Sequence, residues 1–425
     1  MKVAVIGGGW AGCAAAVEAT RLGQQVTLFE AARIPGGRAR RVDGQWPDGS
    51  ALPLDNGQHI LIGAYSDTLQ LMADLGLDAN TLLLRMPLTL QFSDGSGLGF
   101  PSLPTPLDAF AGILRARGWS WRDKFSLLRA AVQWQLSGFR CNPDLSVAHL
   151  CGKLSPAVMA TLIEPLCVAA LNTPADRASG QVFLRVLRDA LFSQSGGSNL
   201  LLPRTDLSAL LPDAALAWLA QHGANVRLGT RVLALAPAGA SWQVDGETFE
   251  RVILACPPGE AARLALSSNL PCDVWVARAS ALQFEAITTV YVSSPGTRLA
   301  QPMLALRASE PEDDAPAQFV FDRSQLGGPD GLLAFVVSAS QGDSAALTQR
   351  VLAQARQQLS LTQAVAVQSI VEKRATFACL PGLLRPAAQL LPGLLACGDY
   401  VDGPYPATLE GAVRSGLQAA QHAIK

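Results

Sequence analysis

The sequence of 425 residues is poor in several residue types, and each shortage excludes something. It has four histidines, and its eight cysteines form no Cys-x-x-Cys pair and have no histidine cluster beside them, which argues against a zinc site. Charged residues make up only 16 % against 49 % hydrophobic, a balance that suits a large packed core and excludes wholesale disorder. The net charge of −1 provides no field for a nucleic-acid partner. No uninterrupted apolar run reaches about 18 residues, so no membrane span is expected. The N-terminus passes from Met1-Lys2 straight into an apolar run and lacks the parts of a signal peptide. The cysteines therefore read as reduced, mostly buried thiols. The expected location is cytoplasmic, with peripheral contact at the inner membrane left open.

What is present begins at once. Lys2–Ile6 reads as a buried parallel strand, followed without a gap by Gly7-Gly8-Gly9-Trp10-Ala11-Gly12. Cys13 to Leu22 reads as an alanine-rich helix ended by Gly23, and Gln25–Phe29 as a second strand followed by Glu30. In this strand, glycine turn, helix, strand and acid, Gly7 allows a tight turn. Gly9 lets the backbone approach a pyrophosphate, and Gly12 lets the helix pack close to the strand. The helix start, with Trp10 and Ala11, offers N–H groups and a positive dipole end to phosphates. Glu30 is placed to accept from ribose hydroxyls and to repel a 2′-phosphate, against NADP. The order of elements predicts an α/β, doubly wound, Rossmann-like dinucleotide domain.

Gly36-Gly37-Arg38 starts six residues after Glu30. Together with the fingerprint it resembles the FAD-binding amine oxidase and phytoene desaturase superfamily. The resemblance implies that the glycine pair passes the flavin diphosphate and that Arg38 contacts it. Near the other end, Leu394–Cys397 reads as a strand, followed by Gly398-Asp399 and then Glu410-Gly411-Ala412 leading into a helix. This is similar to the second flavin motif of the superfamily. There the acid, here Asp399, holds the ribitol or phosphate region, and a helix N-terminus faces the pyrimidine end, where it favours negative charge. The segment through Val232 resembles the part of the superfamily that sets a valine against the adenine. These resemblances imply noncovalent FAD, since no cysteine follows Gly398.

The three blocks imply a discontinuous FAD domain from residues 1–65, 200–260 and 390–425. A mixed α+β substrate domain is expected from 66–199, largely helical as around Lys124–Leu136, and from 261–389. The latter carries strand-like runs at Ala286–Val292 and Gly331–Val337, and Ser309–Pro316 reads as a charged surface loop.

Leu54-Asp55-Asn56-Gly57-Gln58-His59, with Gly63-Ala64-Tyr65, and the run from Gly398 to Gly416 resemble the hydroxysqualene dehydroxylase family of hopanoid biosynthesis, also called the squalene-associated FAD-dependent desaturases. The resemblance implies a long-chain isoprenoid substrate and hydride delivery from reduced flavin N5. It places Asn56 and Gly57 at the cofactor and makes His59, Gln58 and Asp55 the catalytic candidates. The chemistry needs a proton for the departing hydroxyl and a dry pocket. His59 serves either as that donor or as a structural histidine bonded to backbone beside the flavin. Asp55 is a donor or a turn cap, and Gln58 bonds the substrate hydroxyl or the flavin edge. Rival readings are a polyene (phytoene-type) desaturase, an amine oxidase and a non-enzymatic prenyl-lipid escort protein. A lysine that amine oxidases often carry is missing from Phe284–Val292. No second glycine fingerprint is evident, so electrons are expected from a separate reductase or a free reduced cofactor. Between Gly112 and Arg140, six basic residues stand against one acid, interleaved with Trp119, Trp121, Phe125 and Trp134. That face is either a membrane-surface contact or a solvated cover over the pocket.

Overall fold

Val3 and Val5 point to one side of the first strand, Lys2–Ile6, and Ala4 and Ile6 to the other, and each pair joins a different hydrophobic cluster. A strand buried on both faces belongs in the middle of a parallel sheet. The computed structural model, which describes residues 1–192, 195–308 and 315–424, places it there. The six strands run in the order Asn225–Leu228, Gln25–Glu30, Lys2–Ile6, Arg251–Leu254, Leu394–Ala396 and Gln389–Leu391. The first five are parallel and the last is antiparallel. Chain order reverses on either side of Lys2–Ile6, which makes its carboxyl end the switch point where open α/β sheets bind ligands. Residues 309–314 of the charged loop read in the sequence lie outside the described residues.

Helix Trp10–Arg21 packs on one face of this sheet with helix Leu409–Ala423 beside it. It starts three residues earlier than the sequence suggested, so Gly12 lies within its first turn. Close packing of the two helices depends on small residues. A Cβ on Gly416 would lie 2.2 Å from the Ala11 carbonyl oxygen and 3.0 Å from the Ala14 Cβ. Helices Pro258–Ser267 and Asp273–Ser280 pack together, and the first of them rests on the strand meander built from Leu235–Ala238, Ser241–Val244 and Glu247–Phe249.

A second, five-stranded antiparallel sheet has the order Met303–Ala305, Phe319–Asp322, Leu332–Ser338, Phe284–Ser293 and Val365–Phe377. Helix Ser344–Leu359 covers one of its faces. The other face joins the large core that holds helices Trp121–Leu136 and Gly180–Phe192. The strand read at Ala286–Val292 and the helix read at Lys124–Leu136 are therefore both present and longer than expected. The region before residue 200 also contains short strands. Leu83–Met86 pairs with Leu200–Pro203, and that strand pairs in turn with Leu61–Ile62. Among the described residues, no helix is long and apolar enough to cross a membrane. All eight cysteines are free thiols, seven of them buried.

Gly416→Val should force helices Trp10–Arg21 and Leu409–Ala423 apart and destabilise the protein by about 1–3 kcal/mol, the usual cost of overpacking. Gly259 provides the contrast, in an exposed first helical turn where an added Cβ would have no neighbour within 4 Å. Gly259→Ala should leave the thermal midpoint unchanged or raise it. Thermal unfolding followed by circular dichroism checks both.

Candidate active site

At the carboxyl edge of the sheet, Lys2–Ile6 breaks at Gly7, whose φ is +116°. A Cβ there would sit 2.5 Å from the Ala255 carbonyl oxygen, and one on Gly12 would sit 1.8 Å from the Gly7 oxygen. Protein packing alone requires these two glycines. Gly9 differs, because its Cβ would meet only the Gly37 Cα, at 3.8 Å, an ordinary contact. The space beside Gly9 is not taken up by a protein neighbour. Loop 36–39 lies against this turn. Gly36 N–H donates to the Gly8 oxygen at 2.8 Å, and the Trp10 indole N–H donates to the Ala39 oxygen at 3.0 Å. The Trp10 indole thereby anchors the loop, and its backbone N–H is among the first-turn donors of the helix.

Glu30 is oriented by two backbone donors, Gly8 N–H at 2.5 Å and Ala32 N–H at 2.7 Å. Its strand end is tied to Thr230, two residues before buried Val232. The second flavin-like motif meets the first through one ion pair, in which Arg38 Nη2 contacts Asp399 Oδ1 at 2.5 Å. Arg38 also donates to the Ala375 oxygen at 2.7 Å. Burial opposes the charge on Arg38, but the Asp399 carboxylate and its hydrogen bond outweigh that cost and hold the guanidinium pKa above its ordinary value. Gly398 has φ +151°, and a Cβ there would lie 2.7 Å from the Tyr400 ring, so that ring fixes the glycine.

The Glu410 carboxylate, in the motif at the start of the last helix, is fully buried and accepts from Asp67 N–H, Thr68 N–H and the Thr68 hydroxyl. It satisfies first-turn N–H groups of helix Ser66–Asp74, because such unpaired groups draw a carboxylate. Gly411 has a packing role, as a Cβ would lie 2.0 Å from the Tyr405 oxygen. Thr408 caps the helix that carries Gly411 and Ala412. Just before it, Tyr405 and Ala407 hold φ values of +57° and +58°, a conformation L side chains rarely adopt, so this short loop is strained.

The stretch after strand Ala51–Asp55 forms the other wall. Asp55 is buried, with Oδ1 accepting Leu207 N–H at 2.8 Å and Oδ2 lying 3.8 Å from Arg323. Burial pushes its carboxyl up to about 6, against the pull of Arg323. Its backbone exchanges hydrogen bonds with the Tyr291 hydroxyl. Arg323 donates to Gln58 Oε1 at 3.1 Å, which leaves the Gln58 N–H₂ end as the donor pointing elsewhere. Asn56 bridges the Arg38 oxygen and Glu372. His59 Nδ1 lies 2.9 Å from the Gly57 oxygen, so the neutral ring carries its proton there and presents Nε2 as an acceptor. Burial lowers the His59 pKa below 6.5, and the positive charge of Arg38 adds to the fall. Sequence reasoning missed Arg323, Tyr291 and Glu372. All three lie more than 230 residues from their partners, and no local spacing marks them.

The residues fit a dinucleotide. Gly9 leaves a cradle that a Cβ would fill, and two buried hydroxyls at the motifs have no hydrogen-bond partner. One is Thr289, 3.8 Å from the Cβ position of Gly57, and the other is Tyr400, beside Asp399. A parallel sheet with a glycine turn at its switch point, closed by a second motif from the far end, defines a flavin-dependent oxidoreductase. The family described as flavin containing amine oxidoreductase matches residues 10–424, and the chain belongs to that family. It is similar to the hydroxysqualene dehydroxylase of Rhodopseudomonas palustris, with 29 % identity over 98 % of this chain and 97 % of that one. A zeta-carotene desaturase of Synechocystis shares 37 % identity, but over only 20 % of this chain and 16 % of its own. The fold is shared with an oxidoreductase from Methanosarcina mazei, with a TM-score of 0.72, 16 % identity, and 99 % and 100 % of the two chains covered.

Arg38→Gln should leave the Asp399 carboxylate, only 8 % exposed, without its cation. Arg38 is itself about a third exposed, so the expected loss is about 1–3 kcal/mol, below the range for a fully buried pair. The purified variant should also retain less flavin, read as absorbance near 450 nm relative to protein.

Proposed function

We propose that this protein is an FAD-dependent hydroxysqualene dehydroxylase that converts hydroxysqualene to squalene. The observation that carries the reading is similarity to a hydroxysqualene dehydroxylase along nearly the whole of both chains, where the desaturase likeness stops at a fifth of this one. FAD is held noncovalently in this reading. Gly9 and Gly37 flank the diphosphate, Glu30 faces the ribose, and Arg38 with Asp399 closes the middle of the cofactor. Cys397, the cysteine nearest the second motif, is fully buried, with its sulfur directed at the Ala11 oxygen 3.9 Å away. Reduced flavin, when bound, supplies the hydride.

The chain's own residues manage the hydroxyl. The allylic C–O bond breaks, the oxygen leaves as water after gaining one proton, and the carbon gains the hydride, so atoms and charge balance. Asp55 holds Arg323, Arg323 grips the carbonyl end of Gln58, and the amide N–H₂ of Gln58 is left to bind the hydroxyl oxygen. Asp55 is thus a positioning residue, while His59, tied to Gly57 through Nδ1, delivers the proton from Nε2 in its imidazolium form.

The lowered His59 pKa sets the sign of the pH dependence. The acid form is complete below that value and is lost as pH rises through it, so kcat/KM should fall about tenfold per pH unit across the neutral range. His59→Gln should abolish this limb and lower the rate by about 10²–10⁴-fold. The direct test is anaerobic incubation of the flavin-loaded protein with reduced FAD and hydroxysqualene, followed by mass spectrometry for squalene. Squalene formed in step with flavin reoxidation supports the reading. Flavin-loaded protein that makes none overturns it and turns attention to polyene precursors.

A further inference from the structure

Helices Leu107–Arg115 and Trp121–Leu136 carry large apolar side chains on their outer surface. Leu107, Phe110, Trp121, Phe125, Val132 and Leu136 are each half or more exposed. Of the eighteen exposed large apolar side chains among the described residues, seven fall between Leu103 and Leu136, and they include every exposed Phe and Trp. Steps of four, seven and four place Trp121, Phe125, Val132 and Leu136 along one side of their helix. The opposite side, through Leu127 and Trp134, is already buried in the large core. The helix therefore has two apolar sides, and only one of them is covered by protein.

Charge borders the uncovered side. Arg115, Arg117, Arg122, Arg129 and Arg140 are exposed. Lys124 lies 5.1 Å above the Trp121 ring and donates to the Leu114 oxygen, which ties the two helices together. Only two acids lie among these cations, and neither neutralises the border, although Asp123 is near enough to Arg122 to feel its charge. Asp123 forms the capping box with Ser120, and Asp108 is buried. A two-fold contact with a second copy would bring like charges together, whereas an anionic lipid surface complements both the rings and the arginines.

The stripe also leads toward the candidate site. Three residues beyond Leu136, the Phe139 oxygen accepts from Gln181, and Gly382 N–H donates to the Pro143 oxygen. Gln181, Pro143 and Gly382 line a mostly apolar cleft that reaches Phe377 and Pro406, the latter two residues before Thr408. We propose that these two helices seat the protein on an anionic bilayer, with the cleft opening at the edge of the seat so that an apolar chain passes from lipid to the site without crossing water. The seat itself does not depend on the dehydroxylase reading.

Flotation of the flavin-loaded protein with vesicles of phosphatidylcholine, alone or mixed with phosphatidylglycerol, tests this without substrate. The protein should float with the mixed vesicles and much less with phosphatidylcholine alone, and Trp121 fluorescence should shift to the blue. Trp121→Ser/Phe125→Ser/Leu136→Ser should reduce partitioning at least tenfold. Arg122→Glu/Arg129→Glu should reduce it by about fivefold or more per residue. Both variants should keep their flavin, which shows that they fold. Absence of flotation, equal binding to both vesicle types, or binding unchanged in the variants overturns the proposal. A concentration-dependent dimer abolished by the serine substitutions, with no flotation, assigns the stripe to a second copy and overturns it equally.

Discussion

The ion pair between Arg38 and Asp399 joins two parts of the chain that are 361 residues apart, and both sides of the cofactor site depend on it. Loop 36–40 lies over the glycine turn, and strand Val365–Phe377 and Asp399 hold its far side through one guanidinium. A planar group with five donors suits this place, because it bonds a backbone oxygen and a carboxylate at once and keeps its charge when largely enclosed. A lysine could not span both partners in the same way. Asn56 adds a brace from the Arg38 carbonyl to Glu372 on the same strand.

The parts of this site that were legible in the sequence are those whose function rests on backbone conformation. Gly7 and Gly12 are fixed because a Cβ on either would stand 2.5 Å or 1.8 Å from a backbone oxygen, so this turn itself demands their spacing. The parallel sheet and the long strand at Phe284–Ser293 were legible for a similar reason, since burial imposes an apolar pattern. Side-chain partnerships were not. Glu410 stood in the expected motif, yet its carboxylate turned to the open end of helix Ser66–Asp74, a competitor for acids that lies 342 residues away. Trp10 likewise had its indole N–H drawn to Ala39. Arg323 follows a buried strand, and nothing beside it in sequence shows that it would meet Asp55 and Gln58.

The wall opposite the glycine turn shows how one buried acid can organise several groups around it. Asp55 has a backbone donor on one oxygen and a guanidinium near the other, and Tyr291 clamps its backbone. Burial acts in opposite senses on the two ionisable groups of this stretch, raising Asp55 and lowering His59, as expected where charge of either sign is poorly solvated. Both shifts favour the neutral forms.

The interleaving of the central sheet has a consequence for synthesis. Lys2–Ile6 leaves the ribosome some 250 residues before its neighbour Arg251–Leu254, and strand Leu394–Ala396 comes later still. Helix Trp10–Arg21 also waits for Leu409–Ala423, whose Gly416 rests on Ala11. The early strand pair therefore spends the synthesis of more than 200 residues with an unpaired apolar edge, the condition under which nascent chains aggregate or engage chaperones. The glycine turn is closed over only after the segment Leu394–Ala423 has emerged, so the sheet and its second motif assemble late relative to the first strand.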